Sequence, residues 1–128
     1  MGTRLEIKSS RAPDEVRPFV DKGRVEVMHL GDHAVMRGTF EPGWQWSKHV
    51  KPLAGTPSCQ TAHVGYCMSG RMRIVMDDGA AREFGPGDFF SIDPGHDAQV
   101  LGDEPCVLLD FGGVKDYAKQ AGGERKVA

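Results

Sequence analysis

The amino-acid sequence predicts an all-β domain built from short strands. Glycine and proline account for 17 and 8 of its 128 residues, and both residue types mark tight turns. Between the turns lie short runs in which apolar and polar residues alternate, whereas long helical patterns are scarce. About eight short strands with turns at regular spacing are typical of a β-sandwich or a β-barrel.

The length and composition fit one globular domain. We expect a single domain over residues 1–128, with its barrel core at about 24–111. Hydrophobic residues make up 39% and charged residues 27% of the chain, as in proteins that fold around an apolar core. A net charge of −2 and the absence of basic runs argue against a nucleic-acid or membrane partner. The N-terminus lacks the apolar region of a signal peptide.

The chain has three cysteines, an odd number. An odd count argues against a framework of disulfides and favours a reducing compartment, so we expect a cytoplasmic protein.

The first half of the chain is predicted to hold one helical turn and three strands. Residues 12–17 are expected to form the turn, within a polar and irregular N-terminal segment. Residues 24–30 and 33–41 form a hairpin around Gly31-Asp32. After the Pro42-Gly43 break, residues 44–50 read as a strand with Trp44 and Trp46 on one side.

The second half is predicted to be a series of hairpins. Residues 63–75 form a strand pair with a bend or bulge at Ser69-Gly70. Asp77-Asp78-Gly79 is expected to make a type I′ turn, because Asp-Gly accepts positive φ. The remaining expected strands cover residues 80–84, 89–92, 96–101 and 106–111, and a short helix is expected at 115–120.

Four side chains are candidate metal ligands. His63 and His96 each begin a predicted strand, His49 lies near the end of another, and Cys59 lies on the loop before His63. Inward side chains from different strands of a barrel meet at its mouth, so these groups are positioned to converge. The alternatives are a hydrogen-bonded turn histidine, a histidine facing water and a small buried cysteine.

Several other polar or thiol side chains have simpler interpretations. His29 and His33 flank a hairpin turn and are expected in solvent, and Cys67 and Cys106 lie in apolar strands and are expected in the core. Asp97 follows His96 and so points to the opposite face of the strand.

One segment resembles a motif of a known family. Gly85-Pro-Gly-Asp-Phe-Phe-Ser-Ile-Asp-Pro-Gly-His96 resembles the second motif of the cupin family. Tyr66-Cys-Met-Ser-Gly70 is similar to the strand that ends the first cupin motif, and His63 stands where that motif has glutamate. His49 matches the first histidine of the motif, and Lys51 takes the place of the second. A longer loop carrying Cys59 follows.

This resemblance implies a small double-stranded β-helix (a cupin or jelly-roll barrel) with short helical or irregular terminal segments. It also implies a divalent metal inside the barrel and a homodimer. Because His63 replaces the carboxylate and Cys59 adds a soft thiolate, we favour zinc, with nickel, iron and copper as alternatives.

The sequence leaves several functions open. The first is a metal-dependent enzyme acting on a small polar or aromatic molecule inside the barrel. The second is a binding, sensing or structural module with a closed site of three histidines and Cys59, and the third is a metal-free barrel with a dimer role. A Cys59–His63 nucleophilic pair ranks lower, because nothing in the sequence marks a third group to orient the imidazole.

The two tryptophans and one lysine in the same region also allow two interpretations each. Trp44 and Trp46 are expected either to wall an apolar pocket or to pack in the core or a dimer interface. Lys51 is either a ligand for an anionic substrate or a solvated loop lysine.

Overall fold

Two antiparallel sheets form the molecule, as seen in a computed structural model that describes residues 4–112 and 117–118. The six-stranded sheet has the order β1-β2-β3-β9-β4-β7, and the three-stranded sheet has the order β6-β5-β8. The strands are β1 (Glu15–Pro18), β2 (Gly23–Leu30), β3 (His33–Phe40), β4 (His63–Ser69), β5 (Arg71–Met76), β6 (Ala81–Phe84), β7 (Phe89–Ile92), β8 (His96–Leu101) and β9 (Cys106–Asp110). Two one-turn helices, α1 (Trp46–His49) and α2 (Lys51–Ala54), precede β4.

The all-β prediction is confirmed. The predicted strands at 89–92 and 96–101 coincide with β7 and β8, and the hairpin around Gly31 joins β2 to β3. Local sequence is sufficient here, because turn residues and alternating apolar positions specify both the strand and its inward face. The predicted short helix at 115–120 falls largely outside the described residues.

The N-terminal prediction was wrong. Residues 15–18 form strand β1 instead of a helical turn, and Glu15 pairs with Val27 of β2. The partners of β1 are residues of β2 that lie between 6 and 12 positions further along the chain, so pairing with another strand overrides local helical propensity.

The type of the turn between β5 and β6 also differs from the prediction. Gly79 has a φ of 96°, whereas Asp78 is not among the residues with positive φ. The Gly79 N–H donates to the carbonyl of Met76 at 2.9 Å. A type I′ turn needs positive φ at both central residues, so this connection is a type I turn followed by a left-handed glycine.

Residues 44–50 were expected to form a strand, and this was wrong. Gln45 makes one isolated bridge to Gln99, and the chain then turns into α1. The carboxylate of Asp97 on β8 accepts the N–H of Ser47 at 3.0 Å in the first turn of α1. A carboxylate that accepts an unpaired N–H at a helix N-terminus stabilises the helix, and this one comes from 50 residues away.

An aromatic cluster fills one part of the core between the sheets. Trp44 is 1% exposed and meets the Phe40 ring edge-on, with 4.5 Å between ring centroids. Phe19 stacks on Phe40 at 5.2 Å. Cys67 and Cys106 are fully buried, as predicted, and all three cysteines are free thiols.

A tight crossing after β4 requires glycine. Gly70 has a φ of 73°, and a Cβ there would lie 2.4 Å from the Pro105 carbonyl oxygen. The register between β4 and β9 shifts between Cys67 and Ser69, immediately before this residue. The predicted bend or bulge at Ser69-Gly70 is therefore present, and it lets the chain pass from one sheet to the other.

Among the described residues, none of the helices has the length and apolar character needed to cross a membrane.

Candidate metal centre

Three of the candidate ligands come from three separate segments that meet between the sheets. His63 is the first residue of β4 in the large sheet, and His96 is the first residue of β8 in the small sheet. Cys59 is tied to His96 by an isolated β-bridge, in which the Cys59 N–H donates to the His96 carbonyl at 2.8 Å. This bridge fixes the position of the long loop before β4, for which the local sequence predicts no conformation.

The side chains of these three residues converge. One donor atom from each of Cys59, His63 and His96 lies within 4.8 Å of the other two. The Cys59 Sγ atom is 3.6 Å from His63 Nε2, and the two imidazole rings meet edge-on with centroids 5.4 Å apart. All three side chains are buried, with exposures of 2%, 8% and 3%.

The two imidazoles are held in matching orientations by oxygen atoms. His63 Nδ1 lies against the Asp110 carboxylate in a very short contact, and His96 Nδ1 lies 2.8 Å from the Asp93 carbonyl oxygen. A carbonyl and a carboxylate only accept hydrogen bonds, so in each ring Nδ1 carries the hydrogen. In the neutral ring the lone pair is then on Nε2, which is the arrangement of a metal-binding histidine.

Without a metal, the cluster favours a charged pair. Burial lowers the pKa of His63, but its hydrogen bonds with Asp110 and Cys59 outweigh burial and raise that pKa to about 9. Burial raises the pKa of Cys59, but its hydrogen bonds with His63 and His96 lower that pKa to about 6. The thiolate that a metal needs is therefore already stabilised by the neighbouring imidazoles.

Asp110 was missed in the sequence as a site residue. It ends β9, an otherwise apolar strand, and is 1% exposed. One signal was available, because alternation along β9 places Asp110 on the same inward face as Cys106 and Leu108. A carboxylate at an inward position needs a partner, and His63 is that partner.

Tyr117 is a second side chain that sequence reasoning missed. It is 5% exposed, and its ring meets that of His63 edge-on with centroids 5.1 Å apart. Burial raises the pKa of Tyr117 well above its usual value, with further contributions from Cys59 and Asp110, so the phenol stays neutral. No sequence pattern near Tyr117 indicated this position.

The fourth candidate, His49, is not brought to this cluster. It ends α1, and its Nδ1 accepts the backbone N–H of Gln45 at 3.0 Å. Within residues 4–112 and 117–118, the grouped donors are Cys59, His63 and His96 alone, so the closed four-ligand site considered from the sequence is not assembled there.

The other polar candidates lie away from the cluster. His29, His33 and Lys51 are exposed, in agreement with their simpler interpretation as solvated side chains. Asp97 points away from His96 and binds the N-terminus of α1.

A small cavity adjoins the cluster inside the barrel. Its volume is about 40 Å³, and its walls include His63, His96, Asp110, Tyr117 and both tryptophans. Trp44 and Trp46 are 1% and 2% exposed, so they both wall this cavity and pack in the core. Typical small-molecule sites have volumes of roughly 300–1,000 Å³, so the interior as it stands is far smaller.

Comparison with known proteins identifies the architecture. No protein-family model and no curated protein sequence matches the chain. Solved structures do match: a crystal structure of an RmlC-like cupin from Shewanella frigidimarina superposes with a TM-score of 0.60 at 15% identity, covering 91% of this chain and 97% of that one. The chain has the cupin fold.

Two other solved structures extend the comparison. A cupin 2 conserved barrel domain protein from Salinispora arenicola matches with a TM-score of 0.54 at 21% identity, covering 85% of this chain and 90% of that one. Oxalate decarboxylase from Lactobacillus farciminis, in a formate complex, matches with a TM-score of 0.58 at 18% identity. That match covers 89% of this chain and 35% of the decarboxylase. The cupin resemblance drawn from the two sequence motifs is thus confirmed for the fold.

Proposed function

We propose that this cupin domain binds one divalent metal ion through Cys59, His63 and His96, and that the metal acts on a small molecule inside the barrel. The observation that carries the proposal is the convergence of three donor atoms within 4.8 Å, with both imidazoles held so that Nε2 faces the cluster.

The observed spacing fits a tetrahedral metal. Zinc–sulfur and zinc–nitrogen bonds of about 2.3 and 2.0 Å, at a tetrahedral angle, place the two donors roughly 3.5 Å apart. The Sγ–Nε2 distance between Cys59 and His63 is 3.6 Å. The limit of 4.8 Å on the other donor pairs also admits one common metal.

The donor set favours zinc. Thiolate and imidazole are both usual zinc ligands, and three protein ligands leave a fourth position for water or substrate, as in catalytic zinc sites. Nickel, iron and copper remain the alternatives, because imidazole binds all three and a thiolate also suits copper.

The metal would supply a Lewis acid that polarises an oxygen of the bound molecule. This chain's own residues hold the site in place: Asp110 and the Asp93 carbonyl keep the two imidazoles oriented, and Tyr117 keeps water away from the side of His63 that it covers. Two neighbours by fold are an oxalate decarboxylase and a sugar phosphate isomerase of the cupin superfamily, the latter at a TM-score of 0.52 and 20% identity. They support an enzyme over a structural metal site.

Cobalt(II) titration of the metal-free protein tests the proposal. Cobalt bound by a thiolate and two imidazoles gives intense tetrahedral d–d bands and a sulfur-to-cobalt charge-transfer band. We expect both in the parent at one equivalent, loss of the charge-transfer band in Cys59→Ser, and loss of binding in His96→Ala. A parent protein with only the weak bands of hydrated cobalt would end the proposal.

A non-catalytic metal site is the alternative within the same fold. Such sites are usually closed by four protein ligands. The described residues supply three, beside a cavity, which favours the open and catalytic form.

A metal-free nucleophile is a second candidate, and the position of Asp110 favours it. Sequence reasoning ranked the Cys59–His63 pair low because no third group was visible, and Asp110 supplies that group by accepting from His63 Nδ1. Thiol, imidazole and carboxylate in this order are the parts of a nucleophilic triad. Alkylation by iodoacetamide separates the candidates: a metal site predicts that zinc protects Cys59, and a triad predicts rapid alkylation whether or not zinc is present.

We also propose a homodimer in a reducing compartment. Four apolar side chains that are between 51% and 80% exposed lie on β4 or on segments hydrogen-bonded to it: Val64, Met68, Phe89 and Phe111. Contiguous exposed apolar side chains are typical of protein interfaces. The three free thiols support the cytoplasm as the compartment.

A further inference from the structure

The side chain of Tyr117 occupies space next to the metal-binding cluster. It lines the cavity together with His63, His96 and Asp110. Two aromatic edges hold its ring: His63 at 5.1 Å and Phe19 at 6.2 Å between centroids, with interplanar angles of 81° and 85°. Edge-to-face contacts at these distances are the favoured geometry for aromatic pairs, so the cupin interior contains a ready-made place for one six-membered ring.

The backbone of Tyr117 is anchored by a buried arginine. Arg17 on β1 is 3% exposed, and its guanidinium donates to the Tyr117 carbonyl at 3.0 Å. Glu15 binds the same guanidinium with both carboxylate oxygens, at 2.7 and 3.1 Å. The contact between Arg17 and Tyr117 joins the two ends of the chain, and it does not depend on what fills the space next to His63.

A second observation indicates what else this place can bind. The indole Nε1–H of Trp44 is buried, and no acceptor pairs with it within the described part of the chain. Trp44 is 1% exposed and lines the same cavity. A buried donor without a partner costs free energy, so an oxygen atom in the cavity would satisfy it.

We propose that the phenol of Tyr117 occupies the binding place of the small-molecule ligand, and that this ligand is a compact aromatic ring carrying an oxygen acceptor. The ring takes the place between His63 and Phe19 once the tyrosine side chain has left it, and the oxygen accepts from Trp44. The proposal deepens the proposed function by naming a ligand class for the same site, and it rests on that function only for what happens after binding.

The presence of the Tyr117 side chain in the ligand-binding place also explains why the cavity volume is small. With Tyr117 in place about 40 Å³ is free, which holds no ring. A ligand must compete with the side chain, so its apparent affinity is reduced by the fraction of molecules in which the place is vacant. If the place is vacant in about one molecule in ten, removing the side chain strengthens binding about tenfold.

Calorimetric titration of the metal-free protein with 4-methylphenol, the free form of the tyrosine side chain, tests the proposal. We expect Tyr117→Ala to bind one equivalent at least about tenfold more tightly than the parent, and Tyr117→Phe to bind as weakly as the parent. Equal affinities in the parent and a folded Tyr117→Ala protein, or no binding to either, would overturn it.

The role of the oxygen is tested by comparing 4-methylphenol with toluene. In Tyr117→Ala we expect the phenol to bind about fivefold more tightly, as one hydrogen bond provides. In Tyr117→Ala/Trp44→Phe the two should bind alike. A preference for the phenol that survives without the indole N–H would show that the oxygen binds elsewhere.

If Tyr117→Ala does not fold, NMR spectroscopy of the tyrosine signals in the parent protein provides an independent test. The chain has two tyrosines, and Tyr66, on the outer face of β4, is the internal control. Saturating 4-methylphenol should move the Tyr117 signal to the position of an exposed tyrosine and leave Tyr66 unchanged. An unmoved Tyr117 signal would contradict the proposal. Because these experiments omit metal, their failure is distinct from failure of the metal site.

Discussion

His63 donates from Nδ1 to the carboxylate of Asp110, which lies 47 residues further along the chain and is 1% exposed. The contact joins the first residue of β4 to the last residue of β9, which are neighbouring strands in the six-stranded sheet. It sets the tautomer of His63 and so determines which nitrogen faces Cys59 and His96. The chemistry of the cluster therefore depends on a residue outside the group of three donors.

Removing this carboxylate is expected to weaken metal binding without abolishing it. Asp110→Asn keeps the size of the side chain but supplies a weaker acceptor, and loss of such a partner typically costs about 10–100-fold in metal affinity. Competition for zinc against a chromogenic chelator measures the loss. Asp97→Asn is the matched control, since Asp97 binds the N-terminus of α1; an equal loss in both variants would show a general effect on folding.

The charged pair in the metal-free cluster predicts a specific pH dependence. The pKa of Cys59 is lowered to about 6, so its contribution to stability is complete above its usual pKa of 9.0 and is lost as the pH falls through 6. The pKa of His63 is raised to about 9, so its contribution is complete below its usual 6.5 and is lost as the pH rises through 9. Between pH 6.5 and 9, the free energy of unfolding rises with pH because of Cys59 and falls with pH because of His63, so the two effects oppose each other.

A Cys59→Ser variant removes the Cys59 contribution, whereas Asp110, the larger cause, still raises the pKa of His63. In chelator-treated protein, the free energy of unfolding of the parent minus that of the variant should increase from pH 6 to pH 9, because the unfolded parent then holds one more proton on Cys59 than the native parent. The slope is at most about 1.4 kcal/mol per pH unit. Urea unfolding at several pH values measures it, and a difference that stays flat or decreases would contradict the lowered pKa.

Two glycines with similar backbone conformations should differ in their tolerance of alanine. Gly70 and Gly79 have φ values of 73° and 96°, and a Cβ at Gly70 would meet the Pro105 carbonyl oxygen at 2.4 Å, whereas one at Gly79 meets nothing within 4 Å. We expect Gly79→Ala to cost about 1–2 kcal/mol from backbone strain. Gly70→Ala should cost more than about 4 kcal/mol, because the backbone must also move. Equal losses in thermal unfolding would refute the close approach of β4 and β9.

The exposed apolar surface on the large sheet is expected to form the dimer interface. Met68 and Phe89 are 51% and 80% exposed, and a buried charge without a partner is costly at an interface. Met68→Glu/Phe89→Glu should convert a dimer to a monomer in light scattering after size exclusion. Arg73→Glu, on the outward face of β5, is the control and should leave the mass unchanged; a parent that is already monomeric would exclude the interface.

The sequence was most informative where turns and alternation act locally. The Asp-Pro-Gly turn before His96 specified β8 and its inward face, and the motif around it indicated the fold. The sequence was least informative where distant residues decide. Helix α1 depends on Asp97, and strand β1 depends on pairing with β2. The backbone of Tyr117 is anchored by Arg17, which lies 100 residues earlier in the chain. Asp110 is an intermediate case. Alternation along β9 predicts its inward position, but no local pattern indicates that its partner is His63.

Metal content after purification without added metal tests the central claim most directly. Elemental analysis should find one equivalent of a divalent metal, zinc above the others, in the parent and in His49→Ala, whose histidine binds the backbone of Gln45. It should find almost none in His96→Ala or His63→Ala, with circular dichroism showing that each variant is folded. A full equivalent that persists in His96→Ala and His63→Ala, or a parent that takes up no metal even from excess zinc, would contradict the proposed metal centre.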